Sequence, residues 1–452
     1  MTAPSTAPLP PGPPPRRSGL LGLAADALPM MLDPIGVVTG RFARYGDVYY
    51  VPPPGSGPGL YVLRHPDHIH QVLVTDARAF RKTHPGLRSL AEVLGAGLLT
   101  TDGDTWRRQR RLVQPAFSRD RLHAYATVMG EEATRFARRW SPGQRVDVAA
   151  EMAELTLRVV ARTLFGHDVG QDAETVRRAM RTVQSALGFD PLPPWLSPQQ
   201  YRLRAAVRAL DRIIYDIVAE RRKDVTGRDD LLGMLLAARD VEGDGGGLAD
   251  QEIRDQLMTL FLAGHETTAN GLSWAFWLLS QHPEVEERLA AESRRVLGGR
   301  PATARDLPDL PLADQVFKEA LRLYPPVYAI PRQSAEDLTI GGWPVEAGSE
   351  VVLWVFQVHR DPRFFDEPWA FRPERFAPDA ERAIQKGAYV PFGAGPRACI
   401  GKVFAQMEGA LILATVAARA RFRPDPAYRP RLAPRITLTP AGGMPMTVAA
   451  PA

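Results

Sequence analysis

A long uninterrupted run, residues 251–282, constrains the fold more than any other feature of the sequence. Apolar side chains occupy most faces of the helix that this run predicts, and no proline interrupts it. A helix of that kind is longer than average and crosses the core of a globular protein. Asp250 is placed to cap its first turn, and Pro283 ends it.

The centre of this helix is polar, in the order Leu-Ala-Gly-His-Glu-Thr-Thr-Ala-Asn over residues 262–270. Burying such a cluster is costly unless its members have partners or a chemical task. Two small residues, Ala263 and Gly264, precede the acid Glu266 and the hydroxyl of Thr267. This part of the helix is therefore a candidate functional site.

The only cysteine of the 452 residues, Cys399, lies in a loop rich in glycine and proline, residues 389–401. Glycines let a backbone pass close to a flat or bulky group. After Gly401 the apolar spacing becomes helical, so Cys399 precedes a helix N-terminus, where the dipole favours an anion. Arg397 adds positive charge nearby. A lone cysteine is commonly a small buried hydrophobe, but these surroundings stabilise a thiolate.

Two further patterns place charged residues at helical spacing. Trp106 and Arg110 are four apart in an arginine-rich run that would otherwise be a solvated basic helix. Glu319 and Arg322 are three apart in a helix, residues 314–324, that two prolines end. A pair at that spacing contributes only about 0.2–0.5 kcal/mol and indicates no function by itself.

The cysteine loop closely resembles the haem-ligand loop of the cytochrome P450 family, whose pattern is Phe-x-x-Gly-x-Arg-x-Cys-x-Gly. The matching positions are Phe392, Gly395, Arg397, Cys399 and Gly401. By this resemblance we expect Cys399 to be the axial thiolate of a haem b iron, with Phe392 packed near the sulfur and Arg397 on a haem propionate. The loop glycines, Gly393 among them, would let backbone N–H groups approach the sulfur.

The centre of the long helix resembles the oxygen-binding groove of the same family, Ala-Gly-x-Glu-Thr-Thr. The resemblance implies that Ala263 lies against the haem, that Thr267 is the distal hydroxyl, and that Glu266 relays protons. Activation of dioxygen consumes two protons, which explains the need for an acid and a hydroxyl. His265 is a candidate metal ligand by residue type, but we expect it to be packed structurally.

Three residues outside these two motifs are expected to contact the haem propionates. Trp106 and Arg110 match the Trp-x-x-x-Arg helix of the family, and Arg332 follows by alignment. The neighbouring Arg107 and Arg108 are then expected on a surface available to an acidic electron donor, as are Arg111 and Lys402.

A third match to the family indicates a role for the charged pair Glu319 and Arg322 on the helix at 314–324. Residues 371–376 fit the Pro-Glu-Arg-Phe segment of the family. The resemblance then implies that Arg375 joins Glu319 and Arg322 in a buried ionic network. We expect this network to hold the cysteine loop in register, a structural and not a catalytic role.

The resemblance covers residues 36–448 and implies a mainly α chain with a small β lobe (α+β), the cytochrome P450 fold with its long central helix over a haem. We expect residues 1–34 to be a flexible, proline-rich lead-in and 35–452 to be a single catalytic domain. Residues 47–51 and 60–63 predict a β-hairpin, and residues 435–448 predict a second one.

Composition narrows the class of protein and its compartment. The formal net charge of +5 comes without a dominant basic block, so nucleic acid is not an expected partner. A single cysteine favours a reducing compartment. The apolar stretch at 20–32 is shorter than the roughly 20 residues of a membrane span and lacks a clear cleavage site. We expect a cytoplasmic monomer without a transmembrane segment.

The residues expected to face the substrate are apolar, which predicts a hydrophobic substrate. They come from an irregular apolar segment at 83–101, a candidate lid at 189–196, the long helix, residues 327–331 and the tail. They are Leu87, Leu98, Leu99, Phe189, Trp195, Phe261, Ala263, Val327, Ile330 and Met444.

Two substrate classes stay open. The sequence around residues 263–268 looks most like bacterial fatty-acid hydroxylases, which grip a carboxylate with an arginine and a tyrosine on the first hairpin. Here residues 52–59 of that hairpin are rich in proline and glycine instead. Terpenes or other uncharged lipid-like compounds are therefore at least equally expected.

The resemblance implies a haem-thiolate monooxygenase that uses dioxygen and two electrons. No flavin or nicotinamide module is expected after Val448, so a ferredoxin and its NAD(P)H-dependent ferredoxin reductase are the expected donors. The alternatives are a peroxide-driven peroxygenase, a non-redox isomerase or dehydratase, and a non-catalytic haem-binding protein. Family members of the first two kinds tend to lack the acid–threonine pair that Glu266 and Thr267 form here.

Overall fold

The computed structural model describes residues 8–14, 28–53, 55, 57–82, 85–164, 166, 173–186, 197–223, 230–240 and 245–450. These residues form two compact units. The described residues of the first, the sheet unit, fall within Met1–Arg88, Val327–Ala370 and Arg382–Cys399. Those of the second, the helical unit, fall within Ser89–Pro326, Phe371–Glu381 and Ile400–Ala452.

Helices dominate the described chain. The α-helices, in chain order α1 to α16, are Leu28–Leu32, Pro34–Tyr45, Pro66–His70, Pro85–Leu94, Gly103–Val113, Arg119–Arg139, Val148–Leu164, Ala173–Ala186, Pro198–Lys223, Leu231–Ala237, Asp250–Gln281, Pro283–Leu297, Pro311–Leu323, Val355–Val358, Pro378–Ala383 and Lys402–Ala417.

The strands are short. In chain order β1 to β12 they are Val48–Val51, Leu60–Leu63, Phe80–Arg81, Arg145–Asp147, Ile330–Ser334, Leu338–Ile340, Trp343–Val345, Glu350–Leu353, Arg421–Pro424, Leu432–Pro434, Leu438–Pro440 and Pro445–Ala449. The prediction of a mainly α chain with a small β lobe is confirmed.

The sheet unit is built on a five-stranded sheet of order β1-β2-β8-β5-β3. The β1–β2 pair is the predicted antiparallel hairpin, with Val48 opposite Leu63. β2 runs parallel to β8, and β8 runs antiparallel to β5. Alternate residues of these strands, such as Tyr61 and Val351, point into an apolar core that also takes Ile69 of α3.

The helical unit is arranged around α11, the predicted long helix, which is 32 residues long. α11 packs against α7, α13 and α16. Its predicted N-cap is wrong by one residue, because Ala249 is the cap and its N–H donates to Glu252 Oε2 at 2.9 Å. Asp250 is instead the first helical residue and pairs with Arg222. An acid in the first turn interacts favourably with the helix dipole.

Two local predictions are corrected. Residues 83–101 were expected to be irregular, but Pro85–Leu94 is helical, and the residues after it are held to α11 by side chains. Asp255 Oδ2 accepts from Ala96 N at 2.8 Å, and Gln256 Oε1 accepts from Leu98 N at 3.1 Å. These long-range hydrogen bonds have no signature in local apolar spacing.

The predicted C-terminal hairpin is also wrong. β11 pairs with β10, whereas β12 pairs with β4 and β9. The turn between β11 and β12 thus moves the chain from one sheet to another. Met444 in that turn is fully buried, and its backbone N–H donates to Asp147 Oδ1 at 2.8 Å. It belongs to the core and is not an accessible tip.

Within the described residues, no helix combines the length and apolar character that a membrane span requires. The predicted division into a lead-in at 1–34 and one catalytic domain at 35–452 stays a prediction.

Candidate active site

The middle of α11 opens onto an accessible face. From Ile253 to Leu279 the helix is buried at every position except Ala263, Gly264 and Thr267. Positions i, i+1 and i+4 share one face of an α-helix, so these three residues form a single small patch. Its side chains are a methyl, a hydrogen and a hydroxyethyl group, which leave room for a bulky ligand to lie against the backbone.

Glu266, next to this patch, is buried and bound to a residue that sequence analysis did not single out. Thr437 Oγ1 donates to Glu266 Oε1 at 2.5 Å. Thr437 Oγ1 also accepts from Asn270 Nδ2 at 3.1 Å. A carboxylate out of water needs such donors. No pattern in the sequence connects residues 171 positions apart.

The hydroxyl of Thr267 is hydrogen-bonded to the backbone of α11 itself. Thr267 Oγ1 donates to Ala263 O at 2.7 Å, a common back-bond of threonine within helices. Thr156 of α7 donates to the carbonyl of His265 at 2.9 Å. Both hydroxyls therefore donate additional hydrogen bonds to backbone carbonyls in the polar centre of α11.

His265 is buried against Phe261, whose ring centroid lies 6.0 Å from that of the imidazole. Burial lowers the pKa of His265 to about 4, because the imidazolium is poorly solvated there. The side chain is therefore neutral at physiological pH. This placement supports the packed role that we expected for His265.

In the sheet unit, the cysteine loop depends on glycine. Gly393 and Gly395 have φ of 65° and 67°, a conformation that glycine adopts readily. A Cβ at Gly395 would lie 1.9 Å from Leu73 O, so the backbone approaches too closely for any side chain. The N–H of Cys399 donates to Phe392 O at 2.9 Å, and the Cys399 side chain is exposed.

A residue with no predicted chemistry fixes the start of this loop. His359 is fully buried, and its Nε2 accepts from Val390 N at 2.9 Å. Its ring lies 5.3 Å from that of Tyr389. The sequence resemblance indicates a structural role for His359 without chemistry, but it does not reveal the partner Val390, 31 residues later.

The expected propionate contacts are divided between the units. Trp106 and Arg110 are both partly exposed on α5, and Arg110 Nε donates to Gln114 Oε1 at 3.3 Å. In the sheet unit, Arg332 is buried on β5 and donates to Pro331 O at 2.9 Å, whereas Arg397 is partly exposed.

Two of the arginines assigned to donor docking have internal partners instead. Arg108 Nη1 donates to Glu252 Oε1 at 2.7 Å, and Arg111 Nη2 donates to Asp240 Oδ1 at 3.0 Å. They tie α5 to residues before and within the first turn of α11. Arg108 is only partly exposed, so the docking prediction is corrected for this residue. Arg111 and Arg107 are exposed, and Arg107 lies beside Asp104.

The expected ionic network comes together in the helical unit. Arg322 Nε and Nη2 each donate to one oxygen of Glu319 at 2.7 Å, and both side chains are fully buried. Glu319 Oε1 also accepts from Arg372 N at 2.9 Å and lies 3.4 Å from Arg375 Nε. A bidentate pair with further donors is the arrangement that compensates buried charges best.

The expected substrate-facing residues differ in their solvent exposure. Leu98 and Phe261 are largely buried in the helical unit, and Leu99 is partly exposed. In the sheet unit Val327 is exposed, and Ile330 is partly buried beside Gly393. Met444 has no accessible surface, so the prediction that it faces the substrate is wrong. Phe189, Trp195 and the side chain of Leu87 lie outside the described residues.

Comparison with known proteins identifies the family. The family model described as Cytochrome P450 matches residues 27–444. The chain belongs to the cytochrome P450 family. Membership implies a haem iron with a thiolate ligand, and it confirms the enzyme class expected from the sequence, a cytochrome P450 monooxygenase.

Three relatives of this P450 are bacterial. Cyclooctatin synthase of Streptomyces melanosporofaciens is 39% identical over 93% of this chain and 92% of that protein. Pentalenene oxygenase of Streptomyces avermitilis is 38% identical over 91% of this chain and 92% of that protein. Cyclooctat-9-en-7-ol 5-monooxygenase of Streptomyces melanosporofaciens is 36% identical over 91% of this chain and 92% of that protein.

The ionic network predicts a specific loss of stability. Glu319→Gln leaves the Arg322 guanidinium buried without its counter-charge, and breaking such a pair costs about 3–5 kcal/mol. The matched control is Glu374→Gln, since the Arg288–Glu374 pair is more than half exposed and such pairs contribute about 0–1 kcal/mol. Urea unfolding of both variants measures this difference. Equal free energies of unfolding would contradict the structural role.

The buried histidine predicts acid sensitivity. With a folded-state pKa of about 4 against an ordinary 6.5, the unfolded chain binds more protons between these values. The free energy of unfolding therefore falls as pH drops from 6.5 to 4, by about 3 kcal/mol in total. His265→Phe should flatten this part of the pH profile of urea unfolding, whereas the exposed His123→Phe should not. Parallel profiles for all three proteins would refute it.

Proposed function

We propose that this P450 oxidises a cyclic, terpene-like compound at a haem b held by Cys399, with Glu266 and Thr267 delivering protons. The observation that carries the proposal is the accessible patch of Ala263, Gly264 and Thr267 on a helix whose other residues from Ile253 to Leu279 are buried, with Glu266 adjacent to Thr267 in sequence. A buried helix exposes its backbone in this way where a ligand approaches it closely.

The donor set fits a thiolate-ligated haem. Cys399 is exposed at the end of a loop that two glycines hold open, and three residues later α16 begins. Arginines and an indole N–H are the donors that suit propionate groups, and the family resemblance assigns Trp106, Arg110, Arg332 and Arg397 to that task. When bound, such a haem supplies the activation of dioxygen with two electrons.

The residues of the chain supply protons and shape. Thr267 carries its hydroxyl on the accessible patch, where turning it toward a ligand exchanges its bond to Ala263 O for another hydrogen bond. Glu266 is the acid nearest in sequence, and a carboxylate of this kind passes protons to a hydroxyl directly or through water. Ala263 and Gly264 keep side chains out of the reaction space.

A terpene-like substrate agrees with both the relatives and the first hairpin. Two relatives are named for the oxidation of pentalenene and of cyclooctat-9-en-7-ol. In this chain Tyr49 and Tyr61 of the hairpin are buried, and the Tyr61 hydroxyl donates to Pro344 O at 2.8 Å. Neither of these two phenols is placed to hold a fatty-acid carboxylate, whereas Tyr50, the third tyrosine of the hairpin, is partly exposed. The apolar Leu98, Phe261 and Ile330 suit a hydrocarbon surface.

For electron supply we propose an acidic ferredoxin with its NAD(P)H-dependent reductase. Lys402 and Val403, the first residues of α16, are exposed, as is Arg107. An exposed cation beside an exposed apolar residue suits a transient, salt-sensitive contact with an acidic partner. Because Arg108 is only partly exposed and is paired with Glu252, the docking surface is smaller than the sequence indicated.

The substrate proposal is tested by optical titration of the purified ferric protein with cyclic terpenes and with long-chain fatty acids. We expect the low-spin spectrum to be lost with cyclic terpenes only. Ala263→Leu should abolish this change, because the larger side chain fills the accessible patch. Ala380→Leu, a matched change at an exposed helical position of α15, should preserve it. A response to fatty acids alone would overturn the proposed substrate class.

A further inference from the structure

Thr437 joins two residues of α11 through one hydroxyl group. The amide nitrogen of Asn270 can only donate, so Thr437 Oγ1 accepts from it, at 3.1 Å. The single hydroxyl proton is then left for Glu266 Oε1, at 2.5 Å. Asn270 and Glu266 are four residues apart, so the same helical face presents both groups. The direction of the hydrogen bond to Glu266 is therefore set by Asn270.

The position of Thr437 is fixed by its backbone. Its carbonyl accepts from Arg435 N at 3.1 Å, and the next residue, Leu438, donates its N–H to Pro326 O at 2.9 Å. Leu438 is fully buried and begins β11. The hydroxyl is thus held in place independently of its two side-chain partners. A preorganised donor of this kind loses little entropy when it binds the carboxylate.

All three side chains of this cluster are buried, so water competes poorly for their hydrogen bonds. A fixed donor restricts the rotamers of the carboxyl group that it contacts. An acid that accepts a proton from solvent and passes it on must be both ionised at the start and correctly aimed.

We propose that Thr437, oriented by Asn270, is a positioning residue that aims the Glu266 carboxylate for proton delivery to the Thr267 hydroxyl. This inference rests on the proposed function, since it assigns a supporting residue to the proposed proton path. Thr437 itself touches no substrate and transfers no proton.

The test compares Thr437→Val, which keeps the branched shape and removes the hydroxyl, with Thr437→Ser, which keeps the hydroxyl. The control is Thr163→Val on α7, a buried threonine whose hydroxyl donates only within its own helix, to Val159 O at 2.7 Å and to Val160 O at 3.5 Å. The first measurement is the ratio of product formed to NAD(P)H consumed by the holoenzyme, with a cyclic terpene that gives the optical change. The second is the infrared carboxyl band that Glu266→Gln removes.

We expect Thr437→Val to lower the ratio by about tenfold, the effect of losing one hydrogen bond to a charged group. Thr437→Ser should restore most of it, and Thr163→Val should leave it unchanged. The Glu266 band should shift in Thr437→Val and return in Thr437→Ser.

Two results would overturn the inference. The first is an unshifted carboxyl band in Thr437→Val. The second is a normal product ratio in Thr437→Val while Glu266→Gln is uncoupled. If Glu266→Gln is itself fully coupled, the proposed proton path fails and takes the role of Thr437 with it. A shifted band would then show that the contact exists and that the proposed function was at fault.

Discussion

Polar side chains on an almost wholly buried helix are costly to leave without partners, and this cost shapes the helical unit. Several polar side chains of α11 find partners in distant parts of the chain, whereas Gln256 Nε2, Thr259 Oγ1 and Trp274 Nε1 are buried without a hydrogen-bond partner among the described residues. Asp255 and Gln256 bind backbone N–H groups after α4, and Glu266 binds Thr437. Unsatisfied groups at these depths would cost several kcal/mol in all, at about 1–3 kcal/mol each. The same contacts that stabilise the helix therefore also fix Glu266, the residue that precedes Thr267 of the accessible patch.

The cysteine loop of the sheet unit is governed by backbone conformation rather than by side-chain packing. Gly395 is required because its Cα lies against the carbonyl of Leu73, and His359 holds the start of the loop through Val390. Such a loop presents an exposed thiol from a rigid frame, which is what a ligand to a large planar group needs. Buried hydrogen bonds thus fix the candidate site residues of the helical unit, whereas glycine backbone geometry fixes the cysteine loop of the sheet unit.

Local patterns in the sequence were sufficient for the elements with a strong period or a specific motif. The extent of α11, the β1–β2 hairpin and the family itself could be predicted in this way. Predictions failed where a residue far along the chain decides the outcome. The partners of Arg108 and Arg111, the strand pairing of β12 and the burial of Met444 all depend on such contacts. Thr437 was missed for the same reason, since a lone polar residue does not reveal its partner.

Ligation of the haem iron by Cys399, the only cysteine in the sequence, is the proposal on which the proposed chemistry depends. Resonance Raman spectroscopy of the ferric protein grown with ³²S or ³⁴S tests it most directly. We expect an iron–sulfur stretching band that moves with the isotope and is absent from Cys399→Ser, which still contains every other residue proposed to hold the haem. A haem-loaded wild-type protein without that band, or a band that persists in Cys399→Ser, would contradict the account.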